Sequence, residues 1–548
     1  MNIKRLALGG AAVLAAATLT LSGCAAGGSS EPTSSPTDGG TTAPATGSLV
    51  TVSWSEPENP LIPANTNEVN GGIVLNSIFS GLMYYDADGT PLLDAAESIE
   101  SDDFQHWTIK IKPGQKFSDG SPVTAESFVK AWQWGASNPE LLNQWWFVEA
   151  VPFKGGTYDA VPGEDTLALE VVDETTFTVE LTQPMADFPV ALGYTVFVPL
   201  PEAFFEDPDA FAEAPIGNGP YKFDSRQPGE SLTIVPNEYY DGPRKAQNDG
   251  IKFVAYATLD AAYADLLADN LDIIESIPTA SLANFKDDLG ERAIEQPSAV
   301  FQSFTMNANL PHFGFDEEGI LRRQAISHAI NRAEITEVIF AGTRVPAEDF
   351  TSPVIAGFDP ESIEGSDVLK FDPERAKELW AQADAINPWS GTFQLAYNAD
   401  GGHQEWVDAT VNSIKNVLGI DAVGFPYPDF AGLRTEVNER TIQSAFRTGW
   451  QFDFPSQANI LGALYVTGAG SNDADYSNPE FDKLYQEGLT SSTFEEQTEK
   501  FNAAQAVLFN DLPAIPLWYG VTTGGHSTLV DNVAFGWDSW PILHAVTK

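Results

Sequence analysis

Trp107-Thr-Ile-Lys-Ile-Lys-Pro-Gly-Gln-Lys-Phe-Ser-Asp-Gly-Ser-Pro-Val-Thr-Ala-Glu-Ser-Phe128 is the stretch that decides the fold. Its first part, Thr108 to Lys112, alternates apolar and polar residues and predicts a strand with one buried face. Its last part predicts a helix running on to Trp132, with Thr124 as N-cap ahead of an acidic first turn. Strand and helix signals continue to mix on either side. Leu49 to Trp54 and Thr176 to Leu181 alternate as strands do. Leu321 to Ile339 and Asp408 to Leu418 carry helical periodicity, and Asp372-Pro373 opens a further helix running to Trp380 with Pro at its first position. A chain of 548 residues is too long for one hydrophobic core, so an α/β protein of two or three domains is expected.

Composition narrows the function. Hydrophobic residues make up 43% and aromatics 11%, enough for packed cores. There are 77 acidic residues against 28 basic ones, a formal charge of -49. Such a surface repels phosphate backbones and anionic lipid, so no nucleic-acid partner is expected. A single cysteine, Cys24, excludes an internal disulfide and zinc sites built on paired cysteines. Residues 1–23 have a basic start (Lys4, Arg5) and a small-residue apolar run from Leu6 to Leu21, as in a signal peptide. Leu21-Ser-Gly-Cys24 resembles the bacterial lipobox, which implies lipidation of Cys24. Residues 25–48 are rich in Gly, Ser, Thr, Pro and Ala and read as a flexible tether. The expected location is therefore the extracytoplasmic face of a cell membrane, with a globular body starting near Leu49.

Sequence patterns of catalysis are absent. HExxH, GxSxG, Walker-type and EF-hand spacings do not occur, and no two histidines are four apart. Asp86-Ala-Asp-Gly89 fits a hairpin turn better than a calcium loop. Gly217-Asn-Gly-Pro220 lacks the third glycine of a phosphate loop. Neither an enzyme nor a resident metal or cofactor is expected.

Several ordered blocks resemble the solute-binding proteins of ABC importers, family 5, which includes oligopeptide- and dipeptide-binding proteins. The blocks are Ile78 to Pro91, Ala95 to Ser98, Trp107 to Phe128, Pro215 to Lys222, Asn237 to Tyr240, Leu321 to Arg332 and Tyr476 to Lys483. The resemblance runs from about residue 50 to 520. It implies a two-lobed periplasmic-binding-protein-like clamp of the three-domain, type II-like kind, hinged between its lobes. Domain I would comprise 49–78, 196–300 and 525–548, domain II would be the insertion 79–195, and domain III 301–524. The implied partners are a peptide ligand and the transmembrane subunits of a permease, with the protein acting as a monomer.

The resemblance also nominates site residues. Arg447-Thr-Gly-Trp-Gln-Phe-Asp453 is similar to a peptide-binding motif in which the Asp pairs with the ligand's α-ammonium. An ammonium enclosed in a cleft needs such a carboxylate, because an unpaired buried charge is costly. On this reading Asp453 anchors, Trp450 walls a side-chain pocket and Gly449 leaves backbone free for an extended ligand. Arg447 and His403 match cleft cations of the oligopeptide binders. Asn67 and Val69, in a loosely matching N-terminal segment, and Trp145 complete the candidates. Ser327 stands where some relatives carry a cleft lysine. Another solute, such as an oligosaccharide or a metal chelate, remains the alternative, and the charge of Asp453 separates the two readings.

Overall fold

The computed structural model describes residues 49–548 apart from residues 58 and 429. The signal peptide, Cys24 and the tether lie outside the described residues. In chain order the strands begin with β1 (Val50–Trp54), β2 (Met83–Tyr85) and β3 (Pro91–Leu93). Next come β4 (Ala96–Glu100), β5 (His106–Ile111), β6 (Leu169–Asp173) and β7 (Thr176–Glu180). Then follow β8 (Tyr221–Gln227), β9 (Ser231–Pro236), β10 (Ile251–Ala255), β11 (Ile273–Ile274) and β12 (Ala293–Thr305). The last five are β13 (Arg344–Pro346), β14 (Thr392–Asn398), β15 (Asp421–Tyr427), β16 (Ala445–Gln451) and β17 (Ala514–His526).

The decisive stretch behaves as its pattern requires. Trp107, Ile109 and Ile111 of β5 are buried while the residues between them are exposed. This strand lies in a four-stranded sheet, β4-β5-β7-β6, against which the helix Ala125–Ser137 packs. Thr124 caps that helix, its N–H donating to Ser127 Oγ at 3.2 Å. Asp86 Oδ1 accepts the N–H groups of Asp88 and Thr90, closing the β2–β3 hairpin.

A larger sheet of eleven strands organises the rest, in the order β15-β14-β16-β12-β17-β11-β1-β10-β9-β8 with β13 beside β17. β12 and β17 run the length of both halves. Ala293 to Pro297 pairs with Gly525 to Val521 next to β11, and Phe301 to Thr305 pairs with Tyr519 to Ala514 next to β16. Between these runs the register slips, so Ser298, Ala299 and Val300 bulge opposite Gly520. A side chain at Gly520 would come within 2.7 Å of Ser298 Oγ and 2.8 Å of Val300 Cβ, so glycine is needed there. This gives a clamp of two lobes joined through a bulged pair of strands.

One expectation needs correction. The helix expected over Leu321 to Ile339 is two helices, Glu317–His328 and Arg332–Phe340. Asn331 breaks it, because its side chain caps the second helix by accepting the Glu334 N–H. Ser327, which stands where some relatives carry a cleft lysine, lies in the interior. It is fully buried, donates to the Val368 carbonyl at 2.8 Å and accepts from Arg332 at 2.9 Å.

Asp187 joins the two sides of the molecule. It is 7% exposed and accepts from Ser456 Oγ and, at 2.7 Å, from Gln497 Nε2, while Ala186 N–H reaches the Leu489 carbonyl at 2.7 Å. Asp187→Ala leaves two buried donors without an acceptor and is expected to cost about 1–3 kcal/mol. A lower urea midpoint at unchanged slope would report this; a shift worth under about 0.5 kcal/mol would mean that water replaces the carboxylate.

Candidate ligand-binding cleft

β16 carries the chemistry because one of its edges is open. β12 pairs along it from Phe446 to Gln451, but β14 reaches it through Ala445 and Phe446 alone. From Thr448 to Gln451 the other edge has no neighbouring strand among the described residues. At Gly449 an added Cβ would stand 3.0 Å from the Phe301 carbonyl, so the strand packs closely on β12 there.

Two cavities follow β16. The first part of the strand lines a cavity of about 220 Å³, shared by Arg447, Gly449 and Trp450. Hydroxyls dominate one side of it: Thr448 Oγ1 lies 2.8 Å from Ser303 Oγ and 3.0 Å from Thr305 Oγ1. Arg447 donates to Asn398 Oδ1 at 2.8 Å and its guanidinium lies over the Phe430 ring. Gln451, Phe452 and Asp453 then enter a second, solvent-open cavity of about 220 Å³. Asn67 and Val69 line it at the start of the helix Val69–Ile78, with Tyr85, Tyr194 and Trp540 among the opposing residues.

Asn459 aims Asp453. Its Oδ1 accepts the Asp453 N–H at 3.2 Å and the Trp450 indole N–H at 2.7 Å, while its Nδ2 donates to Asp453 Oδ2 at 3.1 Å. One buried amide thus holds both motif residues. Burial pushes the Asp453 carboxyl up to about 7, against which the Asn459 bond works. Burial likewise raises Asp538, on the C-terminal tail, to about 6. Arg244 is the arginine lining this cavity, and it is spent on Asp94: Nε and Nη2 approach Asp94 Oδ2 at 3.0 and 2.9 Å. His544, also at the wall, is lowered to about 4, chiefly by burial and then by Arg244.

The cleft therefore gathers Asp453, Asn67 and Val69, and the adjoining cavity gathers Arg447, Gly449 and Trp450. His403 and Trp145 line neither. His403 precedes the helix Gln404–Leu418 and accepts the Trp406 indole N–H at 3.1 Å. Trp145 packs on Trp146, which is fully buried and stacks behind Tyr194 at 4.3 Å. Asp94 and Asp538 are not legible as site residues in the sequence, because Asp94 pairs with a residue 150 positions away and Asp538 lies on the C-terminal tail; Asn459 is a local partner just beyond the motif that the sequence reading missed.

The match to known proteins covers most of this architecture. Residues 90–472 fit the family described as bacterial extracellular solute-binding proteins, family 5 Middle. The chain belongs to that family. Among curated family-5 relatives, the periplasmic murein peptide-binding protein MppA of Escherichia coli is 27% identical over 465 residues, 82% of this chain and 83% of its own. The oligopeptide-binding protein OppA of Bacillus subtilis is 26% identical over 482 residues, 84% of this chain and 86% of its own. The solved structure of the Escherichia coli murein tripeptide binding protein MppA superposes with a TM-score of 0.73 at 24% identity, covering 91% of this chain and 97% of that one. The fold expected from the ordered blocks is thus the observed one.

Proposed function

We propose that this family-5 protein is the extracytoplasmic binding component of an ABC importer and that it captures short peptides between its lobes for delivery to a permease. The observation that carries this reading is Asp453, a carboxylate facing the cleft with no cation beside it among the described residues, at the end of a strand with an open edge. An extended peptide can pair its backbone with that edge while its α-ammonium meets the carboxylate, and side chains then occupy the adjoining cavities. Its curated relatives named above are peptide-binding by name. A neutral sugar would leave the Asp453 charge without purpose.

The same reading makes the protein a binder rather than an enzyme, working as a monomer with no cofactor. It places 1–23 as a signal peptide and Cys24 as a lipid anchor, and it keeps the partition into domain I (49–78, 196–300, 525–548), domain II (79–195) and domain III (301–524). Arg447, Trp450 and Gly449 serve the first cavity, and Asn67 and Val69 the mouth of the second. His403 and Trp145 stand back from both cavities, so a ligand role for either requires movement of the lobes.

Native mass spectrometry of the purified protein, followed by gentle denaturation, tests the reading. A mixture of short peptides released from the folded form is the expected result. A sugar or a metal chelate in their place would overturn it.

A further inference from the structure

Ala299, in the bulge between the two lobes, has a backbone shared by two segments that are far apart in sequence. Its N–H donates to the Trp537 carbonyl at 3.0 Å, and its carbonyl accepts the Phe452 N–H at 3.0 Å. The next residues after those partners are Asp538 and Asp453. One bulge residue therefore sets two carboxylates on the same cavity wall, one from the end of β16 and one from the C-terminal tail. Tyr85 stands beside both: its ring meets Trp537 edge-on at 5.5 Å, and both acids disfavour ionisation of its phenol, after burial itself.

Neither acid is neutralised within the protein. Asp453 accepts one bond through Oδ2, from Asn459, and Asp538 accepts one through Oδ1, from the Trp540 N–H at 3.1 Å. Among the described residues no ion pair reaches either of them. Arg244 is engaged by Asp94, and the lowered His544 is neutral at physiological pH. On the same turn, the Trp540 indole Nε1 is buried without an acceptor although its ring lines the cavity, as expected of a group that meets a ligand or water. Both carboxylates line one cavity without a cation of the protein beside them, and a ligand with two neighbouring positive charges can meet both.

We propose that Asp538 is a specificity-determining residue: with Asp453 on the α-ammonium, it receives the side-chain cation of the first ligand residue, so the cleft selects peptides beginning with lysine or arginine. This rests on the peptide reading above and deepens it. The acids divide the work, one reading what every peptide has and the other reading what basic-first peptides add.

Isothermal titration with Lys-Ala-Ala and norleucine-Ala-Ala tests it, since these differ chiefly in one ammonium. Wild-type protein is expected to favour the lysine peptide by about tenfold or more. Asp538→Asn keeps the Oδ1 acceptor for Trp540 and removes the charge; it should bring the ratio to within about twofold, with the lysine peptide losing more affinity than norleucine-Ala-Ala. A wild-type ratio near one overturns the proposal without recourse to any variant. So does a ratio that survives in Asp538→Asn, or an equal loss of both peptides at an unchanged melting temperature, which would make Asp538 the α-ammonium partner. If neither peptide binds wild-type protein, the peptide reading itself falls, and that result is distinct from the others.

Discussion

Asp453→Ala should lower affinity for short peptides with a free amino terminus by about 10²- to 10³-fold, because it leaves a ligand ammonium enclosed without its counter-charge. The same change should not destabilise the empty protein. Burial raises the Asp453 carboxyl from 3.8 to about 7, so the folded form holds this proton more tightly than the unfolded chain does. Its contribution to stability is therefore greatest below about pH 4 and declines as pH rises to about 7, where ionisation is penalised in the fold. At pH 7.5 the alanine variant should melt at the same temperature as wild type or higher. Binding has the opposite dependence. An ammonium pairs with the ionised carboxylate, so peptide affinity should climb between about pH 5.5 and 7 and level off above. Calorimetric titration across that range, with an N-acetylated peptide as control, reads all of this. Equal affinity for the acetylated and free peptides would remove Asp453 from the anchor role.

Asp94→Ala is expected to produce the largest loss of stability, about 3–5 kcal/mol, since it strands a buried guanidinium. Asp94 and Arg244 are 2% and 6% exposed. Arg244 also donates to the carbonyls of Asn76 and Phe79 at 2.9 and 2.8 Å, and Tyr240 donates its hydroxyl to Asp94 Oδ1 at 2.9 Å. The pair thus ties the segment after the first helix to the β9–β10 connection, directly behind the cleft. Chemical denaturation would show the loss as a lower midpoint, and calorimetry would show weaker peptide binding, because a bare Arg244 would oppose an incoming cation. A loss under about 1 kcal/mol would mean that water solvates Arg244 once the carboxylate is gone.

Several of the family's ordered blocks prove to be architectural. In Gly217-Asn-Gly219 the glycines pass against the backbone of Ile78 and Phe79, where a Cβ at Gly217 would stand 2.0 Å from the Ile78 carbonyl oxygen. Asn218 between them pairs with both backbone groups of Ser80, at 3.0 and 2.9 Å. In the block from Leu321 to Arg332, Arg323 is wholly buried and donates to the carbonyls of Met306 and Leu512 at 2.7 and 2.9 Å. Arg332 does the same for Leu369 and Pro516 at 2.7 and 2.8 Å. These residues satisfy carbonyls that irregular chain would otherwise bury unpaired.

By itself, the chain's residue pattern determined the local elements and the family. Alternation in β5 selects its buried face, and Thr124, Asp372 and Pro373 mark helix starts, because those signals act over a few residues. The motif from Arg447 to Asp453 likewise nominated a carboxylate and a tryptophan as site residues, and the structure sets them on two separate cavities. Which of its residues share a cavity was decided only in three dimensions. The bulge of Ser298, Ala299 and Val300 brings Trp537 to the N–H and Phe452 to the carbonyl of one residue, Ala299, although they are more than eighty residues apart in sequence. Asn459, from the following helix, then aims Asp453. The first effect depends on long-range backbone pairing and the second on a side-chain contact six residues away, and neither leaves a periodic trace in the sequence.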